Sequence, residues 1–339
     1  PVTLRMIAER LGLSVSTVSR ALSGQARRYR ISPQTEAAVQ QLAAELHFAP
    51  NVVARGLRLR RSSSVGLIVP DIANPFFSGI ADSVAAELKQ AGLAVLIHDS
   101  HDDLDAEVQA LDFLGRREVE GVILCPVGTC DKHLRGATAA GRPLVLVDRY
   151  FPEAGIPYVT SDSFEGAKLA TEHLLERGHR VIGCLQGSPG TSPNEDRLAG
   201  YRRALEAAGV AADPALVAGF SFRLESGQRA THELLDRQPG VTALIALGNM
   251  LALGALKALA ERGLRVPEDV SLICFDDHPY APYLACPMTA VAQDNVELGR
   301  IAATWLLDEL QGVPPRVRLP LRLSTRLVER QSVRNLISS

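Results

Sequence analysis

The feature that most constrains this chain is a repeated alternation of short apolar runs with amphipathic segments of helix length. "VGLIVP", "LAVLIHD", "EGVILCP" and "PLVLVD" come first, followed by "RVIGCL", "VTALIAL" and "SLICFDD". A run too short for a helix and apolar on both faces reads as a strand buried between helices, so the pattern is that of βαβ units with parallel sheets. The number of runs, with a break near Tyr158 to Asp162, suits two doubly wound lobes. Such lobes place ligand residues at the carboxyl ends of their strands. Here those ends carry Asp71, Asp99, Pro126, Asp148, Gly248 and Asp276.

The total of 339 residues exceeds one ordinary domain, and the charge shows where another lies. The formal charge of −2 conceals an asymmetry: residues 1–60 hold nine Arg and three Asp/Glu, whereas the remainder holds 27 Lys/Arg against 35 Asp/Glu. A small basic head on a larger acidic body points to a polyanion partner for the head alone. Within the head, Leu4, Ile7, Ala8 and Leu11 form the stripe of a short amphipathic helix, and Gly12 suits its C-terminus. Ser14 is placed to cap a second helix, which would bury Val15, Val18, Ala21 and Leu22 on one side and turn Ser16, Thr17, Ser19 and Arg20 outward. A third helix is capped by Ser32, with Pro33 in its first turn and Val39, Leu42, Ala43 and Leu46 as its packing stripe. From Arg10 to Thr35 there are five arginines and no acid.

Two helices joined by a tight glycine turn, the second showing hydroxyls and an arginine, make a helix-turn-helix. A helix in the major groove needs short polar side chains that approach phosphates and base edges, and a long bidentate donor for guanine, which Arg20 supplies. An acid on that face would meet phosphate. The stretch Pro50 to Ser64 that follows is a proline boundary, a helical segment with Arg55, Arg58, Arg60 and Arg61, and a serine-rich linker, with Leu57 apolar among the arginines.

Other chemistry finds little support. The five cysteines are odd in number and without C-x-x-C spacing, and most lie in or beside apolar runs, so they read as reduced thiols. "PVTLRMIAER" has no apolar signal core, and both observations fit the cytoplasm. "VTALIALGNMLALGALKALA" has the length of a membrane span, but Gly248-Asn249 divides it and Lys257 interrupts it, so it reads better as strand, turn and helix. "HDSHDD", His98 to Asp103, has no third ligand at metal spacing and reads as a solvated loop. No nucleophile elbow, P-loop or dinucleotide fingerprint is present, so no catalytic residue, metal or cofactor is expected.

The runs "VTLRMIAERLGLSVSTVSRALSG", "FAPNVVARGLR" and "VGLIVPDIANPFFSGI" together resemble the LacI/GalR family of bacterial transcriptional repressors. "HLLERGHRVIGCL", "DRLAGYRRAL", "RVPEDVSLICFDD" and "LSTRLVERQSV" keep the family's order over essentially the whole chain. The resemblance implies an all-α head of three helices with a hinge helix, followed by an α/β body of two doubly wound lobes like a periplasmic sugar-binding protein. The expected divisions are 1–49 for the head, 50–64 for the hinge and 65–339 for the body. Lobe 1 would take about 65–161 plus 293–323, and lobe 2 about 162–292 plus 324–339. It implies base-reading positions at Val15, Ser16 and Arg20, phosphate contacts at Thr17 and Ser19 beside the cap Ser14, and hinge contacts from Asn51, Arg55 and Leu57, the last wedged into the minor groove. It implies an effector pocket of Asn74, Phe76, Phe77, Asp148, Arg197, Phe222, Asp276 and Gln293.

The implied partners are double-stranded operator DNA, a sugar-like or nucleobase-like effector, and a second copy of the chain. The closing "QSVRNLISS" has no heptad extension, which leans toward a dimer over a tetramer. The alternative is a solute-binding protein of the same core without a DNA role. Two departures from the family stand out: Gly248-Asn249 where an Asn-Asp pair is common, and a longer, more basic loop from Ser23 to Ser32.

Overall fold

The computed structural model describes residues 2–48, 62–136 and 141–337. They divide into two compact units between Ser62 and Ser63. The first unit holds helices α1 (Leu4–Leu11), α2 (Val15–Leu22) and α3 (Pro33–Glu45). Each has a hydroxyl N-cap that accepts from the first turn: Thr3 from the Met6 amide, Ser14 from Thr17 and Ser32 from Thr35. Gly12 ends α1 at φ +63 and returns its amide to the carbonyls of Ala8 and Glu9. A residue with a Cβ would be strained in that left-handed conformation, so glycine sets the sharp turn into α2. Ile7, Ala8, Val18, Ala21, Val39 and Ala43 form the core, closed by partly buried Leu42, Leu46 and Phe48.

The second unit carries two six-stranded sheets. Its elements begin β1 (Ser64–Val69), α4 (Pro75–Gln90), β2 (Ala94–Asp99), α5 (Leu104–Arg116), β3 (Val122–Leu124), β4 (Leu144–Val147) and β5 (Tyr158–Ser161). They continue α6 (Ser163–Glu176), β6 (Ile182–Leu185), α7 (Ser192–Ala207), β7 (Val217–Ala218), α8 (Leu224–Arg237), β8 (Ala243–Ala246), α9 (Asn249–Glu261) and β9 (Ser271–Phe275). The chain closes with β10 (Thr289–Ala292), α10 (Asn295–Gln311), β11 (Leu321–Leu323) and β12 (Arg326–Val328).

The first sheet runs β11-β5-β4-β3-β1-β2 and the second β12-β10-β9-β8-β6-β7. Every pair is parallel except β10 with β12. The runs β1, β3, β4, β6, β8 and β9 are buried throughout because helices cover both sheet faces. The chain passes between the sheets after β5, again after β10, and between β11 and β12. Both lobes therefore repeat one order, in which the winding of the sheet changes direction between the first strand and the third. That reversal opens a crevice at the carboxyl ends of the strands, where ligands of open α/β sheets sit. Among the described residues no helix is long and apolar enough to cross a membrane. Val241–Ala260 is instead β8, a turn and α9.

Candidate DNA-reading helix and ligand cleft

In the first unit, burying Val18 and Ala21 against α1 and α3 turns the opposite side of α2 to solvent. Ser14, Val15, Ser16 and Arg20 are exposed, whereas Thr17 and Ser19 are half-buried. Val15, which the helical stripe assigned to the packed side, is 44% exposed because the cap leaves the first turn beyond the core. The Ser14 hydroxyl lies 2.8 Å from both the Ser16 and Thr17 hydroxyls, so the cap orders the entry of the helix.

The long basic loop is built rather than loose. Ala26 is buried, Gln25 donates its amide to the Arg20 carbonyl at 3.0 Å, and Ile31 donates to Ala26 at 2.9 Å. That loop brings the Tyr29 ring beneath the Arg20 guanidinium at 3.9 Å, a cation–π stack that sequence spacing alone did not show. The expected hinge residues Asn51, Arg55 and Leu57 lie outside the described residues.

In the second unit, the strand ends of the two lobes face each other across a cleft. Asp148 follows β4 and Asp276 follows β9, and the two are structural counterparts. Both hold positive φ, +67 and +74, and both donate their amides to the neighbouring strand, to the carbonyls of Val159 and Val291 respectively at 3.0 Å. Aspartate tolerates that region better than most residues with a Cβ, and the amide bonds to Val159 and Val291 fix both residues there.

Between the two aspartates lies a small hollow of about 30 Å³ bordered by Asn74, Phe76, Phe77, Asp148, Arg149, Arg197, Phe222 and Asp276. Seven of the eight pocket residues expected from sequence thus border one hollow. Gln293, the eighth, reaches it through its amide, which donates to Asp276 Oδ1. Phe76 and Phe77 pack edge to face at 5.1 Å and also close the lobe 1 core.

Arg197 is fixed before any ligand arrives. Its guanidinium donates to the Leu247 carbonyl at 2.7 Å and to the Ser163 hydroxyl at 3.2 Å, and it lies 3.8 Å from the Phe275 ring centre. Asp148 is buried beside it. Loss of water around the carboxylate raises its pKa to about 6, against the pull of Arg197 and Arg149, and the charge of Asp276 adds to the rise.

Sequence reasoning missed Arg149, which borders the hollow and pairs with Asp102 at 2.9 Å. Its only signal was adjacency to Asp148 at a strand end. The departure at Gly248-Asn249 acquires a physical cause here. A Cβ at Gly248 would lie 3.0 Å from Phe222, and one at Gly187 would overlap the same ring. Two glycines seat Phe222 where other side chains would project, and this is why the hollow is small. Asn249 spans the cleft: its Nδ2 donates to Asn74 Oδ1 at 2.8 Å, and Asn74 Nδ2 donates back to Asn249 Oδ1 at 3.2 Å. A carboxylate at 249 could not make the first of these bonds. Tyr150 adds a second bridge, donating its hydroxyl to Asp196 at 3.0 Å and its amide to Ser192 Oγ at 2.9 Å.

The remaining sequence candidates fall elsewhere. Asp71 serves its own turn, accepting from the Ala73 amide at 2.9 Å. In "HDSHDD", His98 packs against Phe113 at 4.9 Å, Asp103 caps α5, and Asp102 holds Arg149. Among the described residues no group of three metal-ligating side chains occurs. Cys125 is buried in the lobe 1 core, where desolvation pushes its thiol pKa well up.

Known proteins share both halves of this arrangement. Residues 3–51 match the model for bacterial regulatory proteins of the lacI family, and residues 171–333 match a periplasmic binding protein-like domain. The ribose operon repressor of Halalkalibacterium halodurans is 33% identical over 96% of this chain and 96% of its own. A solved complex of the transcriptional regulator CelR with cellobiose is 34% identical, with a TM-score of 0.73 over 98% of this chain and all of that one. The lac repressor dimer, solved with operator and the anti-inducer ONPF, is 28% identical and superposes with a TM-score of 0.86 over 98% of this chain and 99% of that one. A capped helix-turn-helix, a two-lobed body with facing strand-end aspartates, and full-length similarity at these levels lead to one conclusion: the chain belongs to the lacI family of bacterial regulatory proteins.

Proposed function

We propose that the protein is a transcriptional repressor that binds a near-palindromic operator as a dimer and is controlled by a sugar held between its two lobes. The observation that carries the DNA half is the solvent face of α2. It presents Ser14, Val15, Ser16 and Arg20 with no acid among them, and Arg20 is held by Tyr29. Val15, Ser16 and Arg20 read bases, Thr17 and Ser19 meet phosphates, and Asn51, Arg55 and Leu57 belong to the hinge contacts. A two-fold pair of such heads matches two half-sites.

The cleft supports the effector half. Asp148, Arg197 and Asp276 fork onto hydroxyls, while Phe76, Phe77 and Phe222 cover apolar ring faces beside Asn74 and Gln293. A hollow of about 30 Å³ has room for little more than one water. A sugar ring therefore reaches Asp148 and Arg197 only when the Asn74–Asn249 pair parts. Binding and lobe movement are thereby linked, and a ligand that prefers one lobe arrangement shifts the protein toward it. No residue of the cleft is assigned a catalytic step, and we read the protein as a regulator that works on chromosomal DNA in the cytoplasm.

The test is duplex binding by the full chain over a salt series, beside the Arg20→Ala variant. Affinity should fall steeply with salt, and the variant should bind more weakly with relaxed sequence preference. A variant with unchanged affinity and preference contradicts the role of α2. Salt-independent or absent duplex binding favours the solute-binding alternative.

A further inference from the structure

The long loop between α2 and α3 is wound into one hydrogen-bonded turn with a defined ending. The Tyr29 amide donates to the Gln25 carbonyl at 3.2 Å. The Arg30 amide then donates to Arg27 at 3.2 Å, and the Ile31 amide donates to Ala26 at 2.9 Å. That nested pair, with Arg30 at φ +52, is the left-handed ending by which helical turns satisfy their last carbonyls. The underside is anchored, because Ala26 is buried and Ile31 packs on the core of the head. Arg27, Arg28, Tyr29 and Arg30 are carried on the outside of this turn, and all four are exposed.

No carboxylate answers these arginines. Glu9 is taken by Arg5 at 3.0 Å, Glu45 accepts from Gln41, and Glu36 is half-buried in the first turn of α3. Among the described residues Arg20, Arg27, Arg28 and Arg30 enter no ion pair; Arg20 and Arg28 lie instead against the Tyr29 ring, at 3.9 and 5.9 Å. The second unit treats its arginines differently, pairing Arg149 with Asp102, Arg316 with Asp308 and Arg330 with Asp277. Like charges gathered in one turn repel each other, and an external anion between them relieves that cost. Because Arg28 shares a ring with Arg20, the loop cations and the reading side chain belong to one surface. A duplex that takes α2 into its major groove, about 12 Å wide, brings its phosphates up to that surface. Residues 27, 28 and 30 also leave the turn in different directions, which suits separate phosphates better than one base edge.

We infer that the turn from Gln25 to Arg30 is a second DNA-contacting element, in which Arg27, Arg28 and Arg30 hold backbone phosphates beside the base pair that Arg20 reads. The inference rests on α2 as the DNA-reading helix and adds phosphate contacts beyond those of Thr17 and Ser19. Such contacts raise affinity and fix the register of the head on the duplex without reading sequence.

The experiment measures binding of the full chain to two duplexes of equal length across a KCl series. One carries the inverted repeat that the protein selects from a random pool, and the other has a scrambled sequence. Arg27→Gln, Arg28→Gln, Arg30→Gly and the triple variant are compared with Arg20→Ala, each first shown to unfold at the temperature of the parent chain. Glycine suits the left-handed backbone at position 30. Each single substitution should weaken binding to both duplexes by the same factor, about threefold or more at low salt, and leave sequence preference unchanged. Each removes one phosphate contact per head, so for a dimer the slope of log affinity against log salt should become shallower by about 2. Arg28→Lys keeps the charge and should bind like the parent chain, whereas a bidentate base contact would be lost. Arg20→Ala should relax preference instead. A triple variant with the parent's affinity and slope would overturn the role of the turn, and relaxed preference in Arg20→Ala would show that the reading of α2 survives. Altered preference in Arg28→Gln, or weak binding by Arg28→Lys, would also overturn it by revealing a base contact. Absence of salt-dependent duplex binding by the parent chain would overturn both.

Discussion

Replacing Asp148 with Asn should make the protein more stable and less able to bind its effector. The buried carboxylate titrates near pH 6 instead of at its ordinary 3.8, chiefly because burial strips its water. At about 1.4 kcal/mol for each tenfold change in proton affinity, that rise corresponds to about 3 kcal/mol of folding free energy spent on keeping the charge. The direction follows from proton counting. Between about pH 4 and pH 6 the folded protein retains a proton that the unfolded chain has released, so stability falls as pH rises through this window. Above about pH 6 the full cost is present. Asparagine has the shape of the protonated acid and no charge to desolvate. Urea unfolding at pH 7.5 should therefore show Asp148→Asn more stable by up to about 3 kcal/mol, with the difference shrinking toward zero near pH 4. The same variant should bind sugar at least tenfold more weakly, the exchange of stability for function common at ligand sites. Equal or lower stability at pH 7.5, or a difference that does not depend on pH, would refute this reasoning.

Other expectations follow from the cleft and the reading helix. Asn249→Ala removes both bonds of the interlobe amide pair, at about 0.5–1.5 kcal/mol each. Hydrogen exchange should then speed up at the first turns of α4 and α9, and unchanged exchange would show that the pair does not hold the lobes. Gly187→Ala drives a methyl into the Phe222 ring and should destabilise by about 1–3 kcal/mol. Combining it with Phe222→Leu should recover part of that loss, whereas strictly additive effects would mean that the ring does not sit on Gly187. Tyr29→Ala should weaken operator binding about two- to fivefold by freeing Arg20, and should have no effect in an Arg20→Ala background; equal losses in both backgrounds would show that Tyr29 acts by another route.

Much of this molecule could be read from its residues because burial leaves a periodic trace. β1, β4 and β8 are buried on both faces, and a short unbroken apolar run between amphipathic helices is the direct imprint of that burial. The caps Ser14 and Ser32 and the turn at Gly12 were legible because each is local chemistry acting within one helical turn. Asp148 and Asp276 could be placed because strand ends of doubly wound sheets converge.

What sequence did not show depends on pairs far apart in the chain. The Asn74–Asn249 bridge joins residues 175 positions apart. The seat of Phe222 needs Gly187 and Gly248 from two different strand ends. In sequence Gly248-Asn249 stood out only as a departure from the Asn-Asp pair common in the family. The structure shows instead one residue making room for an aromatic ring and another tying the lobes together. The basic loop was legible as charge, but the stacking of Tyr29 on Arg20 depends on a turn that no period announces.

One chain, in our reading, recognises a two-fold DNA site under the control of a sugar. Selection of bound duplexes from a random pool by the full protein, with and without the sugar that titrates most tightly, tests it directly. An inverted repeat with a preferred spacing should be enriched, and the amount of that sequence recovered should change when the sugar is added. Recovery of no common sequence, or of one inverted repeat in equal yield whether or not saturating sugar is present, would contradict it.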